Sequence, residues 1–326
     1  MRISVVITTY NRAALLAECL ASLARQAYAA GDELIVVDNG STDRTAAVLE
    51  TAAEAFPVPL RTVVEPTPGK TPALVAGLKQ ATGDLIALTD DDVVVAADWI
   101  GTARRLFEED PGLALAAGRV EPRWERRPPR WLRFDGPARG RMASPLALLH
   151  YSDERQPLGP RTAVGANMIV RRVIMEALGG FAPHLGRLRG TLLSGEDHDF
   201  CERLVAAGYR ALYCPELIVQ HWVPAERLRV SYFLRWFYWS GITHARLARR
   251  SGTTDGGGRR AGGSRYWWRT AVTTLPAAAA RLAISGSASA VERLTEGAFA
   301  LGYLHECWRW RRPADRWRLG DRAPVR

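Results

Sequence analysis

The chain has 326 residues, of which 47% are hydrophobic, and this is enough apolar material to fill the core of one large domain or of a domain with an appendage. The composition argues against disorder throughout. The formal net charge of +10 predicts affinity for an anionic partner, such as nucleic acid, an acidic membrane surface or a phosphorylated substrate. The four cysteines lack the spacing of a disulfide framework or a zinc finger.

The first 120 residues alternate short β-type runs with helical patterns. The predicted helices begin near Ala13, Thr42 and Thr71, and the predicted strands are ISVVITT, ELIVVD, LRTVV and DLIAL. This alternation predicts a parallel sheet with helices packed against it. The strand runs are continuously apolar, as expected for strands that are covered on both faces.

Residues 119–162 interrupt this pattern because they are rich in Arg, Pro and Trp. Long connections of this kind are typical of functional loops, so we predict a loop or an insertion here. Regular structure is predicted to resume with a strand, two helices and two short strands. Their sequences are AVGANMIVRR, RVIMEALGG, GEDHDFCERLVAAG, YRALYC and LIVQHWV.

A second change in composition follows Pro224. It predicts one domain of residues 1–224 and a helical, Arg- and Trp-rich extension of residues 225–326, divided by a Gly-rich linker at residues 251–265. Large aromatic side chains mixed with Arg are typical of a lipid headgroup interface, so we predict that the extension binds a membrane surface. The alternatives are packing on the first domain and formation of a homodimer. Nucleic acid is not an expected partner, because no recognised binding module accompanies the basic residues.

The N-terminal residues do not have the pattern of a signal peptide, since MRISVVITTYNR passes from one Arg directly into a short β-branched run. No stretch has the roughly 20 strongly apolar residues of a clear transmembrane helix. The nearest candidate, residues 270–291, contains Pro276, Arg281 and Gly286. We therefore expect a cytoplasmic protein that is peripheral on the inner face of the cell membrane.

Three consecutive acids, Asp90, Asp91 and Asp92, follow the apolar run LIAL at the predicted end of a strand. Open parallel sheets bind ligands at the carboxyl ends of their strands. Adjacent carboxylates repel one another, and a hard divalent cation such as Mg²⁺ or Mn²⁺ offsets that repulsion because it prefers oxygen ligands. A solvated turn that caps the next helix near Asp98 is the alternative interpretation.

Four motifs in a fixed order change the balance between these interpretations: VVITTYNR, VVDNGSTD, PGK with ALVAGLKQATGDLIALTDDD, and GEDHDFCERL. With these motifs the chain resembles the family 2 glycosyltransferases over about residues 1–222. The resemblance implies an α/β fold of the GT-A type, with a Rossmann-like, mixed and mostly parallel sheet flanked by helices, followed by the helical extension.

The resemblance also implies an activity. Family 2 enzymes of this fold are inverting, metal-dependent transferases that move a sugar from a nucleotide-diphosphate sugar to a hydroxyl acceptor. The donor nucleotide is UDP by default, since GDP and dTDP sugars fit the same motifs. The implied setting is assembly of a cell-surface polysaccharide or glycolipid, with an unknown acceptor that is lipid-linked in one version of the hypothesis.

The family pattern assigns the aspartate cluster to the DxD motif, which holds a divalent cation on the donor diphosphate. Asp92 is the preferred direct metal ligand, Asp90 lies nearer the ribose and also serves as a ligand, and Asp91 is the rival for either role. His221, in VQHWV, resembles the C-terminal histidine that completes the metal shell in many GT-A enzymes. The alternative for His221 is a structural role.

The remaining donor-binding residues are also implied by the resemblance. Thr8 and Tyr10 would line the base pocket, with Tyr10 stacked on the ring, and Asp38 would accept a hydrogen bond from the base. Lys70 would reach a phosphate or the ribose as a point charge. Gly165 would let the backbone approach the donor sugar or the acceptor closely.

The proposed base lies in GEDHDF. Asp197, at a predicted helix N-terminus, matches the Asp of the family's ED motif, which removes the proton of the acceptor hydroxyl. Glu196, which we place among the donor-binding residues, and Asp199 are the alternative bases. Without a catalytic role these acids would only complement the helix dipole. In the segment 119–162, on the acceptor side, Trp124 and Trp131 could stack on a sugar ring.

Two other functions compete with this interpretation. A sugar-phosphate nucleotidyltransferase would need a Gly-rich loop with Arg and Lys after the first strand, and TTYNRAALLAE has no such loop. A non-catalytic, membrane-associated scaffold of the same fold would not need Asp38, Asp92 and Asp197, which are all intact.

Overall fold

A computed structural model describes residues 1–134, 139–183, 185–188, 190–250, 266–273 and 288–309. The predicted linker at residues 251–265, residues 274–287 of the nearest transmembrane candidate, and the Arg/Trp tail from residue 310 onward lie outside the described residues. The chain divides into two units. Unit 1 comprises Met1–Arg127, Arg139–Arg189 and Glu196–Ala225, and unit 2 comprises Pro128–Ala138, Gly190–Gly195 and Glu226–Arg326.

Unit 1 contains a mixed sheet, in which nine strands lie within the described ranges. In chain order they are β1 Ile3–Thr9, β2 Glu33–Asp38, β3 Leu60–Val64, β4 Leu85–Asp90, β5 Val93–Val95, β6 Leu113–Trp124, β7 Gln156–Pro157, β8 Met168–Arg171 and β9 Arg210–Val223. Their order in the sheet is β3-β2-β1-β4-β8-β6-β9-β5, with β7 paired to β9. The mixed α/β fold predicted from the sequence is confirmed.

The direction of the strands changes halfway across the sheet. β3, β2, β1 and β4 are parallel neighbours, as the alternating pattern predicts. β8 is antiparallel to both β4 and β6, whereas β6 and β9 are parallel to each other. β5 and β7 are antiparallel to β9.

Helices cover this sheet and form the rest of the described chain. The helices of unit 1 are α1 Ala13–Leu23, α2 Thr45–Ala55, α3 Lys70–Leu78, α4 Trp99–Glu109, α5 Arg139–Ala143, α6 Arg172–Ala177 and α7 Glu196–Ala206; unit 2 contains α8 Val230–Arg250 and α9 Ala288–Arg309. In α1 the buried apolar side chains are Leu16, Cys19, Leu20 and Leu23. This spacing of three and four residues places them on one helix face.

Two predicted boundaries near the middle of the chain differ from the structure. The predicted interruption begins at Arg119, but β6 continues to Trp124 because residues 119–124 pair in parallel with β9 as far as Val223. The two short strands predicted after Gly208 form the single strand β9, whose register with β6 shifts after Gly118. Asn167 supports this irregularity, since its Nδ2 donates to the carbonyl oxygens of Arg119 at 2.9 Å and Leu217 at 3.0 Å.

Two predicted element starts are also displaced. In AVGANMIVRR a short 3-10 turn at Gly165–Asn167 comes first, and β8 begins only at Met168. The second helix begins at Thr45 rather than near Thr42, because the Asp43 carboxylate accepts a hydrogen bond from the Thr45 backbone N–H at 3.0 Å.

The sheet brings several predicted site residues to one edge. β1, β2 and β4 are parallel, so their carboxyl ends coincide, and the register places Thr8 beside Asp90 and Thr9 beside Asp38. The chain then turns from β4 directly into β5, where Val93 lies opposite His221 of β9. A histidine distant in sequence thereby reaches the acidic run.

Unit 2 is built around close contact between α8 and α9. A Cβ atom on Gly302 would lie 1.8 Å from the carbonyl oxygen of Tyr238, and one on Gly241 would lie 2.1 Å from that of Phe299. Only glycine permits this approach of the two backbones. Elsewhere in unit 2 the Trp131 ring, a predicted sugar-stacking residue, meets the Phe233 ring edge-on at 5.0 Å.

Unit 2 also exposes several large apolar side chains. Within the described residues, no helix combines the length and the apolarity that crossing a bilayer requires. The exposed side chains lie in the helical residues 266–273 and in α9, and they are Tyr266, Trp268, Val272, Leu301 and Trp308.

Candidate active site

The acidic run and the histidine of β9 form a group of potential metal ligands. Asp90, Asp92 and His221 each offer one ligand atom, and these atoms all lie within 4.8 Å of one another. Nε2 of His221 is 3.4 Å from Oδ1 of Asp92, and the Asp92 carbonyl accepts a hydrogen bond from the Trp222 N–H at 2.8 Å. Two carboxylates and an imidazole form a donor set that could hold a divalent cation such as Mn²⁺.

Asp91 points to different partners from those of its two neighbours. Its Oδ2 accepts a hydrogen bond from Thr9 Oγ1 at 2.8 Å, and its Oδ1 accepts one from Nη1 of Arg12 at 2.8 Å. Burial raises the pKa of Asp91 to about 6, with the Arg12 guanidinium opposing this shift and Asp92 adding to it. Both oxygens of Asp91 are therefore engaged within the protein, outside the group formed by Asp90, Asp92 and His221.

Lys70 supplies a positive charge at the start of α3. Its Nζ donates to Oδ1 of Asp90 at 2.7 Å. Burial alone would lower the pKa of Lys70, but the carboxylates of Asp90, Asp197 and Glu196 raise it above its usual value. The side chain is therefore a permanent cation that links Asp90 electrostatically to the acids of α7.

The loop before Lys70 is held by Asn39, at the end of β2. Its Nδ2 donates to the carbonyl oxygens of Glu65 at 2.8 Å and Thr67 at 2.7 Å, and its Oδ1 accepts the Gly69 N–H at 2.8 Å. Gly69 has φ of +133°, which strongly favours glycine. One buried amide thus fixes where α3 begins.

Asp197 lies in the first turn of α7 with its two carboxylate oxygens in different situations. Oδ2 accepts the Gly165 N–H at 2.8 Å, whereas Oδ1 is buried and has no hydrogen-bond partner among the described residues. Burial raises the pKa of Asp197 to about 7; Glu196 adds to the shift and Lys70 opposes it. A carboxyl group with this pKa is suited to accept a proton near neutral pH.

The two alternative bases on α7 are placed differently. Asp199 is buried and forms an ion pair with Arg203 at 2.9 Å, one turn later on the helix. Glu196 is 5% exposed, and its Oε2 has no hydrogen-bond partner within the described part of the chain. A Cβ atom on Gly186 would lie 3.4 Å from the Glu196 carboxyl carbon, so the Gly186 backbone packs closely on Glu196.

The residues predicted to bind the base lie along the same sheet edge. Thr8 pairs in register with Asp90, and Tyr10 is 38% exposed just after β1. Oδ1 of the buried Asp38 accepts the Ser41 N–H at 2.9 Å. Their roles toward a nucleotide remain predictions.

Three contributors to the site were not identified from the sequence: Thr9, Arg12 and Asn39. Arg12 had a detectable signal, because three adjacent acids need nearby positive charge and VVITTYNR ends in Arg at the same edge of the sheet. Thr9 and Asn39 act through hydrogen bonds between distant segments, for which a single sequence contains no signal.

The raised pKa of Asp197 predicts that Asp197→Asn stabilises the metal-free protein. Because the folded-state pKa of about 7 exceeds the ordinary value of 3.8, the wild type loses stability as pH rises through this interval, and the loss is complete above it. Asparagine can still accept the Gly165 hydrogen bond, so we expect a gain of roughly 1–3 kcal/mol at about pH 8.

Urea unfolding in EDTA at about pH 4 and pH 8 measures this gain. The control is Glu202→Gln, which removes an exposed carboxylate from the same helix and should leave stability unchanged. An Asp197→Asn effect that is equal at both pH values would contradict the assignment.

Comparisons with known proteins identify the family. The model of the family described as glycosyl transferase family 2 matches residues 4–179. The succinoglycan biosynthesis protein ExoM of Rhizobium meliloti is 30% identical over 252 residues, which cover 76% of this chain and 75% of that protein. The O-antigen chain rhamnosyltransferase RfbN of Salmonella typhimurium is 28% identical over 252 residues, covering 75% of this chain and 73% of its own.

A solved structure agrees at the level of the fold. The mannosyltransferase PcManGT from Pyrobaculum calidifontis, in complex with GDP-Man and Mn2+, superimposes with a TM-score of 0.62 at 23% identity and covers 94% of this chain and 87% of its own. The extent of the family match and the identity to ExoM establish that the chain belongs to glycosyl transferase family 2 and is a glycosyltransferase.

Proposed function

We propose that this glycosyltransferase is inverting and metal-dependent, and that it moves a sugar from a nucleoside diphosphate sugar to a hydroxyl group. The observation that carries the proposal is the approach of Asp90, Asp92 and His221 to within 4.8 Å of one another. Lys70 lies against this group, and its charge is coupled to that of Asp197. A cation site, a fixed positive charge and a basic carboxylate are the parts that this transfer requires.

Asp90, Asp92 and His221 would hold the divalent cation. Their donor set fits Mn²⁺ or Mg²⁺, and the imidazole favours Mn²⁺ because Mg²⁺ prefers an all-oxygen shell. When bound, the cation would stabilise negative charge on the departing diphosphate. The Mn2+ and GDP-Man found with the mannosyltransferase structure support this assignment.

Asp197 would act as the general base through Oδ1. The acceptor hydroxyl gives its proton to Oδ1 while its oxygen forms a bond to the anomeric carbon, and the bond from that carbon to the diphosphate breaks. The Gly165 N–H keeps Oδ2 in place during the transfer. A single displacement of this kind inverts the anomeric configuration, and the Lys70 ammonium group faces the charge that develops on the diphosphate.

The donor would lie along the carboxyl ends of β1, β2 and β4. Thr8 and Tyr10 would contact the base, and Asp38 would accept a hydrogen bond from it. UDP is the default nucleotide. Glu196 would contact the donor sugar through its Oε2. For Asp91 we propose a supporting role, since Thr9 and Arg12 occupy both of its oxygens.

The names of the relatives support a place in polysaccharide assembly, because one acts in succinoglycan biosynthesis and another extends the O-antigen chain. We propose that residues 1–224 form the catalytic domain and that residues 119–162 contribute to acceptor binding. Residues 225–326 would be an extension that brings the enzyme to the inner face of the membrane, close to a lipid-linked acceptor.

The exposed aromatic side chains of unit 2 predict binding to anionic vesicles. Tyr266 and Trp268 are 62% and 59% exposed, and Arg269 is exposed between them and Val272. We expect the double variant Tyr266→Ser, Trp268→Ser to bind phosphatidylserine-containing vesicles roughly tenfold more weakly, because two apolar contacts with the interface are lost. Sedimentation with vesicles measures this affinity.

The matched control is Val173→Ser, which removes a side chain that is 58% exposed in unit 1 and should leave vesicle binding unchanged. Failure of the wild type to sediment would reject the membrane role. Gel filtration on the same sample then tests the remaining alternative, in which the extension forms a homodimer.

A nucleotide-release screen tests the proposed function. The protein is incubated with UDP, GDP and dTDP sugars in Mn²⁺, Mg²⁺ or EDTA. We expect release from one donor class, dependent on Mn²⁺ or Mg²⁺ and absent in EDTA. Release at the same rate in EDTA would reject metal dependence, and no release from any donor would reject the proposed donor class.

A further inference from the structure

Arg12 forms a bridge between two of the three consecutive aspartates. It follows β1 and immediately precedes α1, and its Nη1 is 2.8 Å from both Oδ1 of Asp91 and Oδ2 of Asp92. The side chains of Asp91 and Asp92 are 5% and 4% exposed, whereas that of Arg12 is 38% exposed. A single guanidinium nitrogen thus holds two buried carboxylates from the open side of the cluster.

The charge of Arg12 is strongly coupled to these acids. Burial alone would lower the pKa of Arg12, but Asp92 and Asp91 raise it above its usual value. Lys70 pairs with Asp90 in the same way. The two cations together offset the repulsion among three adjacent carboxylates, which would otherwise be costly in a buried position.

The two oxygens of Asp92 therefore have separate surroundings. Oδ2 bonds to Arg12 at 2.8 Å, and Oδ1 lies 3.4 Å from Nε2 of His221. Rotation of the carboxylate would break the first contact and move the second. The orientation of Asp92 is consequently linked to Arg12, and through it to Asp91 and Thr9.

We propose that Arg12 is a positioning residue of the metal site: it holds Oδ2 of Asp92, so that Oδ1 is presented beside His221 as the single oxygen that Asp92 offers to the cation. This inference rests on the metal site of the proposed function. Hydrogen-bond partners of ligating carboxylates fix ligand orientation, and their loss typically weakens metal binding by 10–100-fold. Thr9 extends the same support by holding the other end of Asp91.

A purely electrostatic role for Arg12 predicts the opposite result. If Arg12 acted only as a repelling charge, its removal would leave the site more negative and would strengthen cation binding. If it positions Asp92, its removal weakens cation binding in spite of the added negative charge. The sign of the change in affinity separates the two roles.

The test is titration of Mn²⁺, with the free ion followed by its electron paramagnetic resonance signal. We expect the Mn²⁺ dissociation constant to rise 10–100-fold in Arg12→Ala and less in Arg12→Lys, which keeps a charged donor on a shorter side chain. Arg104→Ala is the matched control. Arg104 pairs with the buried Asp32, which directly precedes β2 at the opposite end of the sheet strands, so its loss should leave the constant within about twofold of wild type.

Each outcome has a defined meaning. A dissociation constant in Arg12→Ala that is unchanged, or lower than in wild type, overturns the proposal, as does an equal rise in Arg104→Ala. If the alanine variant does not fold, Arg12→Gln provides the same comparison, with a neutral donor of similar shape. Absence of Mn²⁺ binding by wild type would instead reject the metal site of the proposed function.

Discussion

Asp197→Asn is expected to lower kcat by about 10²–10⁴-fold, the range that general-base catalysis contributes. The amide keeps the size of the side chain and can accept the Gly165 hydrogen bond, but it cannot take the acceptor proton. Because the change affects proton transfer rather than binding, KM for the donor should remain within a few-fold of wild type. Steady-state kinetics with the donor found in the release screen measure both constants.

Glu202→Gln provides the control for this variant, because Glu202 is an exposed acid on the same helix and lies outside the site. Its kcat should equal that of wild type. Full activity of Asp197→Asn would exclude Asp197 as the base and would move attention to Glu196, whose Oε2 is also buried without a partner among the described residues. Together with the stability prediction, Asp197→Asn should be more stable and far less active.

Asp92→Asn is expected to lower kcat/KM by about 10²–10³-fold, since a bound cation contributes several kcal/mol to stabilising the departing diphosphate. The amide oxygen is a weaker ligand than a carboxylate and carries no charge. The Mn²⁺ concentration for half-maximal activity should therefore also rise. Activity measured over a Mn²⁺ series separates loss of the cation from loss of the donor.

Asp84→Asn is the control for the metal prediction. Asp84 directly precedes the opposite end of β4, where it accepts a hydrogen bond from the Arg2 N–H at 2.9 Å. This variant should keep the Mn²⁺ dependence of wild type. If Asp92→Asn retained that dependence as well, the cation would have to bind elsewhere.

The sequence was sufficient to predict the parallel half of the sheet. β1, β2 and β4 are buried runs of Val, Ile and Leu, and helical patterns separate them. β6 was harder to predict because its second half carries charged and proline residues among its apolar ones, for example Arg119 and Pro122. Its strand conformation depends on pairing with β9, which follows about 90 residues later in the sequence and is irregular at the contact.

The site was predictable in its residue types and less so in its connections. The run of acids, Asp197 and His221 were recognisable from motifs, but the choice among three adjacent aspartates was not. That choice depends on side-chain direction, which places Asp91 against Thr9 and Arg12. A single sequence does not encode such directions in any local pattern.

Anomalous diffraction from crystals grown with Mn²⁺ and the selected nucleoside diphosphate tests the central claim most directly. The account predicts one Mn²⁺ peak between the carboxylates of Asp90 and Asp92 and the imidazole of His221, in contact with the diphosphate. Arg12 should remain on Asp91 and on the distal oxygen of Asp92. A nucleotide bound at the sheet edge with no Mn²⁺ peak, or with a peak away from these three side chains, would contradict the account.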